Sequence, residues 1–319
     1  MNRILRFLLA VLIGCVSLPS ADAGPLLDAI KARRERAQSV QPGADDPSAQ
    51  ASEGPEGKRS KVIAPTGSRT ELDIAYGDDP AQKVDVYVPQ AASGAPIILM
   101  VHGGAWMIGD KGNAGVIANK VANWLPKGYI VASPNYRMSR SPNPLDQADD
   151  VGRALAFVQS RAPSWGGDPS RVLLMGHSSG AHLVALLAAD PGIATRQGAT
   201  PWLGAVALDS AALNVVETME AKHARFYDVV FGSDPSHWAR SSPFHRLSAA
   251  PTPMLLVCSS QRSDSCPAAR ALASKVTSLG GRASVLPVGL NHGGVNSELG
   301  RSNEYTAAVE SFMRGLGLP

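Results

Sequence analysis

The stretch VLLMGHSSGAH, from Val172 to His182, places Ser178 at the centre of a G-x-S-x-G pentapeptide formed by Gly176, His177, Ser178, Ser179 and Gly180. An apolar run ends directly before the pentapeptide, and a helix-forming run, AHLVALLAA, begins directly after it. In so tight a strand-to-helix turn the central serine projects its hydroxyl above the sheet. The next residue turns its amide N–H toward the same space. Ser178 is therefore the candidate nucleophile, and Ser179 contributes a backbone donor. Taken alone, the pentapeptide also fits a glycine-rich turn that caps a helix; the strand before it and the helix after it favour the nucleophile.

A serine hydroxyl is a weak nucleophile at neutral pH and needs a base, itself oriented by a third group. Seven histidines are available. His177 and His182 are constrained by the turn and read as supporting residues, while His223, His237 and His245 fall in an irregular segment as pocket-lining or exposed residues. His102 belongs to a glycine turn. His292, in VGLNHGGVN, stands between the last candidate strand and the last candidate helix and is the candidate base. The turn MVHGGAWMIGDK follows another apolar run, and its glycines let the backbone aim N–H groups at a developing oxyanion. Each well-aimed donor is worth about 3 to 4 kcal/mol of transition-state stabilisation. The segment Gly103, Gly104 and Ala105 supplies those donors together with Ser179. Trp106 and Trp238 are candidate walls of a substrate pocket, with core packing an equal alternative.

The elements that must hold these residues read as an alternation. Candidate strands are LDIAYG, KVDVYVP, PIILMVHGG, YIVASPNYR, RVLLMGH, GAVALDS, PMLLVCSS and ASVLPVG, and candidate helices fall near 113–127, 145–161, 179–190, 267–279 and 303–313. The first two strands form a hairpin across Gly77, Asp78, Asp79 and Pro80. The later strands are apolar throughout, as strands covered on both faces are. This alternation predicts one α/β domain over 70–319, with a mostly parallel eight-stranded sheet and helices on both faces. The segment 211–250 breaks the alternation and is the candidate cap insertion.

The N-terminus carries Arg3 and Arg6, a short apolar run and Ala21-Asp22-Ala23, the pattern of a cleaved export signal over 1–23 rather than a membrane span. The reading LIGC, with a lipidated Cys15, is the alternative. Residues 24–69 are rich in Ala, Gly, Pro, Ser and charge and read as a flexible linker. Export to a periplasmic or extracellular setting suits a disulfide between Cys258 and Cys266, two unpaired small hydrophobes being the other possibility. The net charge of +3 is scattered, without the basic clusters a nucleic-acid groove needs. There is no H-E-x-x-H, C-x-x-C, P-loop or dinucleotide fingerprint, so no metal and no cofactor is expected.

HGGAW, NYR, GGDPSRVLLMGHSSGAHL and FGSDPSHWARSSP resemble the carboxylesterase and lipase branch of the α/β-hydrolase superfamily, which includes hormone-sensitive-lipase-like, feruloyl-esterase and kynurenine-formamidase members. The resemblance runs from about Leu72 to the C-terminus. It implies the order nucleophile, acid, base, with the base on the loop after the last strand, where His292 lies. It places the acid on the loop after the preceding strand, where Asp264 is the carboxylate; Asp209, after GAVAL, is the rival. Two departures stand out: Ala105 replaces the third glycine of the usual H-G-G-G, and SQRSD between cysteines replaces the usual G-x-D. The implied activity is hydrolysis of a small-molecule carboxylic ester through an acyl-enzyme on Ser178. An arylformamidase-type amide hydrolase is the alternative within the fold, and a non-catalytic binding protein of the same fold is the alternative outside the enzymes.

Overall fold

In β3 (Ala95–Val101) every residue is buried, because the strand is covered on both faces. Ile97, Leu99 and Val101 belong to one apolar cluster and Ile98 and Met100 to the other, as the two-residue period of a strand requires. A computed structural model describes residues 62–319; the expected signal peptide with Cys15, and the linker up to residue 61, lie outside the described residues.

The sheet comprises β1 (Arg69–Ala75), β2 (Lys83–Val88), β3, β4 (Ile130–Pro134), β5 (Gly167–His177), β6 (Gly204–Leu208), β7 (Met254–Ser259) and β8 (Ala283–Val288). Their spatial order is β1-β2-β4-β3-β5-β6-β7-β8. β1 with β2 and β2 with β4 are antiparallel, and every later pairing is parallel. The eight expected strands therefore occur where the sequence pattern sets them, the first two as consecutive antiparallel neighbours.

The helices are α1 (Ala114–Trp124), α2 (Pro144–Arg161), α3 (Ser179–Ala189), α4 (Gly192–Arg196), α5 (Val215–Glu220), α6 (Phe226–Phe231), α7 (Pro235–Ser241), α8 (Pro243–Arg246), α9 (Ser265–Ser278), α10 (His292–Ser297) and α11 (Glu304–Arg314). α1 and α11 cover one face through Ile117, Val121, Val309 and Met313, while α2, α3 and α9 cover the other through Val151, Leu155, Leu183 and Leu272. All of α3 is buried, which explains why its sequence is apolar around the whole circumference. The insertion between β6 and β7 folds as the four short helices α5 to α8. The register of the parallel strands, His177 beside Leu208 and Leu208 beside Val257, brings the carboxyl ends of β5, β6 and β7 level with one another. In an open α/β sheet that edge is where ligands bind.

Candidate active site

Ser178 sits between β5 and α3 with φ 55° and ψ −117°. A Cβ on Gly176 would lie 2.3 Å from the Gly180 carbonyl oxygen, and one on Gly180 would lie 2.3 Å from that of Val101. Only glycine fits at either end of the turn, which explains the motif. The Ser178 amide donates to the Leu208 carbonyl at 2.9 Å and so fastens the turn to the end of β6. Ala105, Trp106, Ser178 and Asp209 all have positive φ, and among the described residues Asp73 alone joins them outside glycine. Each such conformation costs on the order of 1 to 3 kcal/mol. Four of them meet at the ends of β3, β5 and β6, where strain is retained to hold side chains and amides in place.

His292 opens α10, whose first turn is capped by Asn291 accepting from the Gly294 amide at 2.7 Å. The helix is fixed from two sides: Tyr305 donates to the Val295 carbonyl at 2.8 Å, and Lys120 donates to the Asn296 carbonyl and, at 2.7 Å, to its side-chain oxygen. His292 Nδ1 lies 2.6 Å from Asp209 Oδ2. Asp209 follows β6 directly, is fully buried, and accepts at Oδ1 from the Ser259 amide at 2.7 Å and from the Ser265 hydroxyl. Burial opposes its ionisation, but the His292 hydrogen bond, the Arg262 charge and the Ser259 amide outweigh that and hold its carboxyl well below the usual carboxylate range.

The expectation that Asp264 orients the base is corrected by this geometry. Asp264 binds Arg262 through two hydrogen bonds, of 3.1 and 2.9 Å, and its carboxylate is one-third exposed. Arg262 Nη1 in turn lies 3.2 Å from Asp209 Oδ2 and 2.7 Å from His292 Nδ1. The physical reason is positional: an arginine stands between the loop carboxylate and the imidazole, and Asp209 reaches Nδ1 from the neighbouring strand. Cys258 and Cys266 are bonded, with Cα atoms 5.1 Å apart, and their disulfide closes the loop that carries Arg262, Asp264 and Ser265.

Ser178, Asp209, Arg262 and His292 line one narrow cavity, walled by Trp106 and Tyr227. The amides of Gly104, Ala105 and Ser179 are taken up by no acceptor among the described residues, so they remain available to a charged oxygen near Ser178. Gly103 packs so closely that a Cβ there would lie 3.0 Å from that of Ser178. Trp106 is buried, with its ring centroid 5.2 Å from Phe231 and its indole N–H directed at His182 Nδ1 at 3.3 Å. Trp238, on α7, donates to the Gly232 carbonyl at the end of α6 and is not among the residues lining this cavity. Phe226 and Tyr227 of α6 occupy the cap side instead, positions that no pattern in the sequence marks.

The two histidines beside the turn are structural. His177 Nε2 donates to the His292 carbonyl oxygen at 2.9 Å, and burial and then the nearby His292 ring keep it uncharged. His182 Nε2 donates to the Ser241 carbonyl at 2.7 Å, and burial lowers its pKa to about 4. Arg137 ties its loop to the buried Asp150 of α2. Among the described residues no cluster of three or more histidine, cysteine or acidic side chains could hold a metal ion, and no helix is long and apolar enough to cross a membrane.

A mostly parallel sheet with a strained serine turn after β5, a histidine after β8 and a glycine turn after β3 defines the α/β-hydrolase fold. Residues 84–258, more than half of the chain, match the BD-FAE family, and the chain belongs to it. It is 36% identical over 113 residues to an isoprenylcysteine alpha-carbonyl methylesterase of Arabidopsis thaliana, covering 35% of this chain and 26% of that protein. It is 31% identical over 121 residues to a kynurenine formamidase of Salmo salar, covering 38% and 39% of the two chains. The chain thus spans about a quarter of the length of the plant relative it matches. The solved structure of a truncated carbohydrate esterase from gut microbiota superposes with a TM-score of 0.68 at 19% identity, over 81% of this chain and 99% of that one.

Proposed function

We propose that this protein is an exported serine hydrolase that cleaves small-molecule carboxylic esters through an acyl-enzyme on Ser178. The observation that carries the proposal is the 2.6 Å contact of His292 with the buried Asp209 in the cavity that Ser178 lines. In this reading Asp209 fixes the tautomer with the proton on Nδ1 and leaves Nε2 free to accept the Ser178 proton. The Ser178 oxygen bonds to the ester carbonyl carbon, and the carbonyl oxygen, now charged, is met by amides among Gly104, Ala105 and Ser179. His292 returns the proton to the departing alcohol, and water attacks the acyl-enzyme by the same route in reverse. Export rests on the N-terminal pattern of residues 1–23, and the disulfide suits an oxidising compartment.

A p-nitrophenyl ester series from acetate to decanoate, run on the wild type and on Ser178→Ala, tests the reading. Turnover that disappears with Ser178→Ala supports it. A wild type that cleaves none of the esters and takes up no fluorophosphonate probe rejects it. An N-formyl aryl amine in the same assay separates the ester reading from the formamidase one, which the Salmo salar relative brings forward.

A further inference from the structure

Three of the donors around Asp209 come from a single loop. The Ser259 amide, the Arg262 guanidinium and the Ser265 hydroxyl all lie between or beside the two halves of the Cys258–Cys266 disulfide. Arg262 is the charged member of the three. Its side chain is only 6% exposed, and it spends one edge on Asp264 and one nitrogen on Asp209. That same nitrogen lies 2.7 Å from His292 Nδ1. A guanidinium has donors only and stays charged at any working pH. While Nδ1 carries its proton toward Asp209, the approach of Arg262 sets two donors and, once the ring is protonated, two cations against each other.

We propose that Arg262 is a positioning residue of this centre: clamped by Asp264, it holds the Asp209 carboxylate in register and keeps a fixed cation beside His292 that opposes protonation of the base. The inference rests on the role given to His292 above. Its consequence is that loss of the Arg262 charge moves the acid limb of the reaction to higher pH. Asp264, a residue the sequence pattern marks as the acid, acts through Arg262 and not on the base.

Other charged or titratable groups face His292 or its immediate partners from each packed element. His177 of β5 has its ring centroid 4.5 Å from that of His292 and is kept neutral by burial. Lys120 of α1 reaches Asn296 of α10, Tyr305 of α11 reaches Val295, and Tyr227 of α6 lines the cavity. Burial raises the Tyr305 hydroxyl far above its ordinary value, so it stays neutral. Lys120 donates to Asn296 and its charge also bears on the His177 ring. Arg262 is thus the one permanent cation among the residues lining the Ser178 cavity.

The test measures two quantities in the wild type, Arg262→Gln, Arg262→Lys and Asp264→Asn: the acid limb of kcat/KM on p-nitrophenyl butyrate, and the titration of the His292 imidazole by nitrogen-15 NMR. A unit charge at this separation, at an effective dielectric near 20, sets an upper bound of about four pH units, which spreading of the charge over the guanidinium and the imidazole reduces to about two. Arg262→Gln should move both midpoints to higher pH by about that amount, and Arg262→Lys should restore most of the shift. Asp264→Asn loosens the clamp on the guanidinium at a solvent-screened carboxylate and should move both midpoints the same way as Arg262→Gln, by a smaller amount; a shift to lower pH contradicts the clamp. Thermal melting of each variant identifies any that fails to fold, and Asp264→Asn, at a one-third exposed side chain, keeps the sign of the effect measurable in that event. Unchanged midpoints in Arg262→Gln, or equal shifts in the Gln and Lys variants, overturn the inference. The NMR titration needs no turnover: a wild type that cleaves no ester rejects the hydrolase reading, while the His292 shift still decides the role of Arg262.

Discussion

Replacing Asp209 by Asn should lower kcat by about 10⁴ and leave the fold intact, whereas Asp264→Asn should cost no more than about tenfold. The contrast follows from the hydrogen bonds. Asp209 accepts from the Ser259 amide and the Ser265 hydroxyl at Oδ1 and meets His292 and Arg262 at Oδ2. An asparagine must put its NH2 at one of these places. At the Oδ2 position it faces Arg262, which has only donors, and it leaves His292 Nδ1 no acceptor. The imidazole proton then moves to Nε2, the atom that must accept from Ser178. At the Oδ1 position the NH2 faces the Ser259 amide at 2.7 Å. A wrong tautomer at an Asp–His–Ser centre costs about 10⁴ in kcat, or about 5.5 kcal/mol. Asp264 touches the centre only through Arg262, and its amide keeps one acceptor for the guanidinium. The assay is kcat and KM on p-nitrophenyl butyrate at pH 8, with circular dichroism and thermal melting on each variant. A loss in Asp264→Asn equal to or larger than that in Asp209→Asn refutes the assignment of the acid.

Two further outcomes are expected. Lys120 is fully buried without a carboxylate partner among the described residues, and burial lowers its pKa to about 7. A depressed lysine pKa means that the unfolded chain binds the extra proton between about 7 and the ordinary value, so stability rises with pH across that window, by roughly 2 kcal/mol from pH 7 to 9. Urea titrations at both pH values should show that rise in the wild type and a flat response in Lys120→Met; a flat wild type contradicts it. Opening the Cys258–Cys266 bridge, across a separation of 8 residues, should lower stability by about 2.5 kcal/mol from the loop entropy. Because the loop carries donors to Asp209, activity measured well below the melting onset should fall as well, and full activity in folded, reduced protein would contradict that.

The sequence made the sheet legible because its central strands are covered on both faces and therefore appear as uninterrupted apolar runs. Ser178 was legible for a different reason: Gly176 and Gly180 leave no room for a Cβ, so the turn imposes its own residue types. His292 followed from its place after β8. The carboxylate that meets His292 escaped because a carboxylate at the end of β6 and one in the loop after β7 can both approach that imidazole, and the choice between them depends on a side chain that no spacing rule weighs. Arg262 occupies the approach from the β7 loop, and that fills the space Asp264 would need. A signal was present in GAVALDS, an acid directly at the carboxyl end of a wholly buried strand. The pocket wall was illegible for a related reason. Trp238 and Phe226 both belong to the insertion, and which of them turns toward the cavity is decided by how α6 and α7 pack, not by local pattern.

The most direct test of the central claim is active-site titration. Rapid mixing of the protein with excess p-nitrophenyl acetate should release a burst of about one equivalent of p-nitrophenol before steady turnover, and peptide mass spectrometry of the quenched sample should place the acetyl group on Ser178. An unmodified Ser178 during turnover, or a Ser178→Ala variant with an undiminished burst, would contradict the account.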